Sequence, residues 1–246
     1  MIHRFQLPCR RMTTSTACVL GLLGSMAGAE GAVFTFDNIN QSIPDGSGTG
    51  MASVQPVAGL SGVIKSLTVS LSVSGRGAGA FNGDLYATLQ HADGAAIGFA
   101  VLLNRPGRRT GDDVGYWDDG LQVTFDEAAG RDVHNYRALL PGGDHNTPLG
   151  GALTGLWSPD GRTADPSLVL GDVDLPQATL DSFLGLDPNG KWTLFLADLE
   201  KGGEARLDGW SLNIITQTPI PEPQAWALLS ALGLAGYVLR RRGRAS

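Results

Sequence analysis

Cysteine is almost missing from this chain: two, Cys9 and Cys18, in 246 residues. Both precede residue 27, inside a stretch read below as an export signal. The mature protein is therefore expected to hold together without disulfides, and it has no thiol to act as nucleophile or metal ligand. Basic residues are scarce in the middle. Seven of the 18 crowd the ends (Arg4, Arg10, Arg11, Arg240, Arg241, Arg242, Arg244), leaving 11 between Glu30 and Pro223 against all 24 acidic residues. A surplus of 13 negative charges there excludes nucleic acid and anionic lipid as natural partners, and suits divalent cations or plain solubility. Catalytic signatures are missing too. There is no Gly-x-Ser-x-Gly elbow, and His91, His134 and His145 have no zinc-like neighbour at helical spacing. His134 and His145 lie in loop-like sequence and are expected as exposed polar residues. The glycine clusters at 46–50 and 75–79 do not open a helix within a βαβ unit, so a phosphate cradle is not expected. No catalytic residue is assigned.

The ends carry what the middle lacks. Arg4, Arg10 and Arg11 precede a small, apolar stretch at 13–26 and the small-x-small triplet Ala27-Gly28-Ala29. Together these make a secretory signal peptide over 1–29. The alternative, a helix packed into a core, is disfavoured because strand-like Val33-Phe34-Thr35-Phe36 follows at once. Toward the other end, Pro219-Ile220-Pro221-Glu222-Pro223 precedes an apolar run at 225–239 and then Arg240-Arg241-Arg242. Fifteen residues make a helix of about 22 Å, short of a ~30 Å hydrocarbon core, so the run suits a transient transmembrane helix better than a permanent one. The arginines would stay cytoplasmic and leave the acidic domain outside. The prolines make a stiff stalk.

This tail, residues 217–246, resembles the PEP-CTERM sorting signal, with Pro221, Glu222 and Pro223 as its motif. The resemblance implies a Gram-negative host and an exosortase-type processing enzyme as partner. It further implies transient membrane insertion followed by release to the cell surface or extracellular matrix, where such cargo is linked with exopolysaccharide. An ordinary single-pass anchor is the alternative.

Between the signals, residues 30–216 show a period of two. Val63, Leu67, Val69, Leu71 and Val73 alternate with Ser66, Thr68, Ser70 and Ser72. Leu85, Ala87 and Leu89 repeat the device, as do Leu121, Val123 and Phe125, then Trp192, Leu194 and Leu196, then Trp210, Leu212 and Ile214. Turn signals such as Asp93-Gly94 and Pro188-Asn189-Gly190 separate the runs, and 35 glycines are about twice ordinary usage. No stretch sustains a helical period for three turns. The pattern predicts an all-β, jelly-roll-like β-sandwich.

Several blocks, in order, carry a family resemblance: Ile43-Pro44-Asp45, the strand at 63–73, Gly83-Asp84-Leu85, the Asp93-Gly94 turn, Leu102-Leu103-Asn104-Arg105 and Thr124-Phe125-Asp126-Glu127-Ala128. Phe183-Leu184-Gly185, Asn189-Gly190-Lys191-Trp192-Thr193-Leu194, Ala197-Asp198 and Leu207-Asp208-Gly209-Trp210-Ser211-Leu212 complete the series. They resemble the P (Homo B) domain that accompanies the protease domain of proprotein convertases, which implies a jelly-roll sandwich. The histidine that often precedes Gly-Asp-Leu is replaced by a Gly-rich stretch at 74–80, and a long Gly/Pro/Asp loop occupies 130–171.

Acidic density stands out: Asp112, Asp113, Asp118, Asp119, Asp126, Glu127 and Asp132 fall within 21 residues. Two readings stay open, a solvated acidic loop or at least one calcium site, since calcium takes six to eight oxygen ligands. For calcium the candidate ligands are Asp45, Asp84, Asp126 and, behind them, Asp113. Two functions remain: a non-catalytic binding or structural module engaging exopolysaccharide or a surface protein, or a secreted hydrolase of matrix polymers using loop carboxylates. Carboxylates converging with aromatics in one cleft would favour the second.

Overall fold

The computed structural model describes residues 29–76, 79–218 and the single positions 232 and 240. The expected signal peptide, apart from Ala29, therefore lies outside the described residues. So do Pro221, Glu222 and Pro223 and nearly all of the apolar run behind them. Among the described residues no helix is long and apolar enough to cross a membrane.

Among the described residues ten strands form two antiparallel-dominated sheets: β1 (Ala29–Phe36), β2 (Gln41–Ser42), β3 (Ser47–Val57), β4 (Val63–Arg76), β5 (Leu85–Asp93), β6 (Ala96–Asn104), β7 (Leu121–Phe125), β8 (Leu153–Trp157), β9 (Gly190–Asp198) and β10 (Glu204–Gln217). The first sheet runs β1-β10-β4-β7-β8, with β2 beside β10, and the second runs β3-β9-β5-β6. The β7–β8 pair is parallel; the others are antiparallel. This is an all-β sandwich, as the alternation predicts. Pro56 sits in β3, an edge strand, where its missing N–H breaks no inner ladder.

The inward residues of both sheets make one core. Trp192, Leu194 and Leu196 on β9 face Trp210, Leu212 and Ile214 on β10, and all six are buried. The indole N–H of Trp210 donates to Ser53 Oγ on β3 at 3.0 Å, joining the sheets. Trp192 stacks on His91 and on Phe183, and its N–H donates to the Pro188 carbonyl at 2.9 Å. An added Cβ at Gly98 would come within 2.2 Å of the Phe183 ring, so this strand position takes no side chain.

The strict alternation expected along 63–73 fails at its start. Ile64, not Val63, is the fully buried residue. β10 slips register between Ile215 and Thr216, pairing them with Ser66 and Ile64, so Lys65 is an extra, exposed residue and the side-chain phase flips. A second bulge on β6 does the same at Leu102, which explains the uninterrupted burial of Val101, Leu102 and Leu103.

The long loop also differs from a solvated excursion. It contains β8 and one helical turn, Tyr136–Leu139, tied down by two buried charge networks. Asp118 accepts from Arg137 Nε at 2.6 Å and Nη2 at 2.9 Å, from the Tyr136 hydroxyl and from the Leu149 amide. Arg162 bridges Asp132 and Asp160, and Asp160 takes a 2.7 Å hydrogen bond from His134 Nδ1.

Candidate functional site: an acidic cleft at one end of the sandwich

β5 and β3 begin, and β6 and β9 end, at the same end of the second sheet. A short 3-10 turn, Asn82–Asp84, leads into β5; the Asn82 side-chain amide donates to the Gly120 carbonyl at 3.0 Å, fixing that turn. The backbone then places Asp84 beside Arg105, and the Leu199 amide donates to the Asp84 carbonyl at 2.9 Å. Arg105 occupies left-handed backbone space (φ 51°), uncommon for a side chain of this size. That turn aims its guanidinium back into the site. Nε donates to the Gly83 carbonyl at 2.9 Å, Nη1 to Glu200 Oε1 at 2.9 Å, and Nη2 lies 3.5 Å from Asp84 Oδ1.

Three aspartates share this corner with Glu200. Asp198, at the end of β9, is 2% exposed, and its Oδ1 has no hydrogen-bond partner. Burial first, then repulsion from Asp84 and Asp45, lifts its pKa from 3.8 to about 7. Burial likewise lifts Asp84 to about 6, with Arg105 pulling it down and Glu200 and Asp45 pushing it up. Asp45, exposed in the turn before β3, accepts the Gly202 amide at 3.2 Å. Among the described residues, no three His, Cys, Asp or Glu side chains stand close enough to enclose a metal without rearrangement.

Of the four sequence-derived candidates, the structure brings Asp45 and Asp84 to this corner. Asp113 lies nearby, on the wall of an open cleft of about 600 Å³ that it shares with Asp84, Arg105, Glu200 and Trp117. Asp126 does not join them. It sits at the far end of β7, capping a 3-10 turn through a 2.9 Å bond from the Ala128 amide. Asp198, Glu200 and Arg105 were not singled out as site residues in the sequence, although Asp198 and Arg105 stood within the family-like blocks.

The run of acids at 112–132 turns out to be largely internal scaffolding. Asp112 pairs with Arg109, Asp118 with Arg137 and Asp132 with Arg162; Asp119 accepts from the Ala80 amide and Glu127 from that of Leu180. His134 is also not the exposed loop residue expected. It is fully buried, and its Nε2 donates to the Arg108 carbonyl at 2.8 Å. Burial opposes its charge, but Asp160 and that carbonyl outweigh burial and raise its pKa. With both ring nitrogens engaged, the His134–Asp160 pair has no free nitrogen to take a proton from a substrate.

No family model matches the chain. No curated protein matches it either. Among solved structures it is similar to a chain in the crystal structure of the Aeromonas sobria serine protease (ASP) and chaperone (ORF2) complex, at 12% identity and a TM-score of 0.39. The match covers 79% of this chain and spans 28% of that one, a likeness too slight to speak to activity.

Proposed function

We propose that this is an exported, non-catalytic binding or structural module of the bacterial surface or exopolysaccharide matrix. In this reading it is built on a P-domain-like jelly roll and sorted by an exosortase-type enzyme through Pro221, Glu222 and Pro223. The observation that carries the sorting half is positional. β10 ends at Gln217, so the Pro-Glu-Pro stalk, the short apolar run and the arginines follow the last strand directly. Mass spectrometry of the native surface-located protein tests it. The mature chain is expected to end near Pro221–Pro223; peptides from 237–240 in that material would overturn it.

The second half concerns calcium. Asp45, Asp84 and Asp198 are the ligands we assign, supported by the unpartnered, buried Asp198 oxygen and by the convergence of three family-like blocks on one corner. A calcium ion would supply the oxygen atom with a partner and cancel the repulsion among the carboxyls. Exposed Asp45 would have to swing inward.

The hydrolase reading has one observation in its favour: Asp84, lifted to about 6, lines a cleft with other carboxylates and Trp117. Asp84 is 7% exposed and held against Arg105, which leaves it little reach to a substrate. Release of reducing ends from a matrix polymer, lost in Asp84→Asn, would establish that reading instead.

A further inference from the structure

Trp117 is 62% exposed, yet its backbone is fixed on both sides. The Tyr116 amide donates to the Pro106 carbonyl at 2.8 Å, and the Tyr116 carbonyl accepts from Gly83 at 2.6 Å. The Asp118 carbonyl accepts from Asn82 at 3.0 Å. The side chains on either side point inward: Tyr116 is 1% exposed and packs edge-on to Tyr136, while Asp118 is 2% exposed and clamped by Arg137. Between these two buried neighbours Trp117 faces solvent at the cleft. An exposed indole carried on a fixed backbone is a partly preorganised contact surface, because the backbone has little freedom left to lose on binding.

The cleft beside it supplies polar groups of a particular kind. Glu200 is 56% exposed along its side chain and uses one oxygen on Arg105, leaving the other free. Asp113 is exposed on the wall. The guanidinium of Arg105 lies between Asp84 and Glu200. Exposed carboxylate oxygens on one wall can accept from vicinal hydroxyls of a ligand. A volume of about 600 Å³ lies in the range of small-ligand sites.

We infer that this cleft is a carbohydrate-binding site for neutral hexose residues, with Trp117 stacking on the apolar face of one ring, Asp113 and Glu200 taking its hydroxyls, and buried Arg105 holding Glu200 in place. The inference rests on the reading of the chain as a matrix binding module and names its ligand class. Acidic groups outnumber basic ones around the cleft, so uronate polymers would be repelled. The exposed apolar area here is one indole with Val114 beside it, too little for a protein-docking core.

Native gels cast with a soluble β-glucan, a galactomannan or polygalacturonate test this on the full-length protein, with oligolysine as a competing probe. At least one neutral polymer is expected to retard the protein. Trp117→Ala should weaken that retardation roughly tenfold or more while moving the melting temperature by no more than about 2 °C, since an exposed side chain leaves no cavity. Trp117→Phe should recover part of the binding, and Glu200→Gln should weaken it without unfolding. Retardation by no neutral polymer, equal binding by Trp117→Ala, retardation by polygalacturonate alone, or displacement by oligolysine would each overturn the inference. None of those results bears on tail processing, and reducing-end release would sink the non-catalytic reading while leaving the binding site standing.

Discussion

Asp198 and Asp84 make the protein's stability depend on pH in a direction opposite to that of most paired carboxylates. In the unfolded chain both should titrate near 3.8, whereas in the fold they reach about 7 and about 6. Between pH ~4 and ~7 the native state holds protons that the unfolded chain has already released, so stability falls as pH rises through this window. Below pH ~4 the penalty is absent, and above pH ~7 it is fully present. Between pH 5 and pH 8 Asp198 gives up its proton over about 2 pH units and Asp84 over about 1, so at 1.36 kcal/mol per pH unit the loss in that interval is on the order of 4 kcal/mol. For a domain of this size that is roughly 10 °C in melting temperature. Melting curves of the full-length protein in chelator should therefore drop by about that much from pH 5 to pH 8. Calcium at ~100 times its dissociation constant adds ~2.7 kcal/mol, so it should recover roughly 5–10 °C at pH 8 and flatten the profile. Magnesium, which prefers a smaller octahedral site, should recover less. His134, also raised, loses stability as pH rises through its own folded pKa, so the comparison needed is wild type minus Asp198→Asn. That variant removes one charge at nearly constant shape and should abolish both the calcium gain and most of the pH slope. Superimposable curves in chelator, magnesium and calcium would refute the site. A wild-type-minus-variant difference that grows more stable from pH 5 to 8 would refute the electrostatic reasoning as well.

Truncating Trp192 or Trp210 to Ala should cost ~3–5 kcal/mol in denaturant unfolding, since each fills the layer between the sheets and loses a hydrogen bond besides. Arg137→Ala should cost a similar ~3–5 kcal/mol, because it strands the buried Asp118 carboxylate; a change under ~1 kcal/mol in the same assay would mean that loop 130–171 is not held by this pair. Asp126→Asn should leave calcium stabilisation intact and cost no more than ~1 kcal/mol, the worth of a cap, in parallel melts with and without calcium.

The alternation in β5, β7, β9 and β10 is plain in the sequence because each strand buries one face, and side-chain period and burial then coincide. Where they part company the sequence misleads. The bulge that makes Lys65 supernumerary leaves no mark on a hydrophobicity pattern, because it is a property of the pairing with β10. β3, rich in glycine and carrying Pro56, and β8, five residues within a loop, take their strand form from the neighbours they pair with. The candidate site was half visible. The turn and strand-end blocks in which they stand point to Asp45 and Asp84. Asp198 is hidden because an acid at the end of an alternating strand looks solvated, and it is the pairing with Leu85 on one side and Ser47 on the other that encloses it. Conversely, the acids of 112–132 look like a ligand cluster, yet their partners Arg137 and Arg162 lie 19 and 30 residues away from Asp118 and Asp132.

Among the described strands β1 pairs with β10 alone, and β4 lies on the other side of β10, so the first sheet is closed by the last of these strands to be made. Until Gln217 is available, β1 and the β4-β7-β8 half have nothing to join them. Folding should accordingly be slow, late and all-or-none, with pairings that span nearly the whole domain. Under the proposed export in an extended state, that order of assembly would be an advantage: the barrier to premature folding is built into the topology. It also makes the domain unforgiving of loss at its C-terminal side. A cut ahead of residue 217 would expose two long strand edges at once, the kind of surface on which secreted β proteins aggregate.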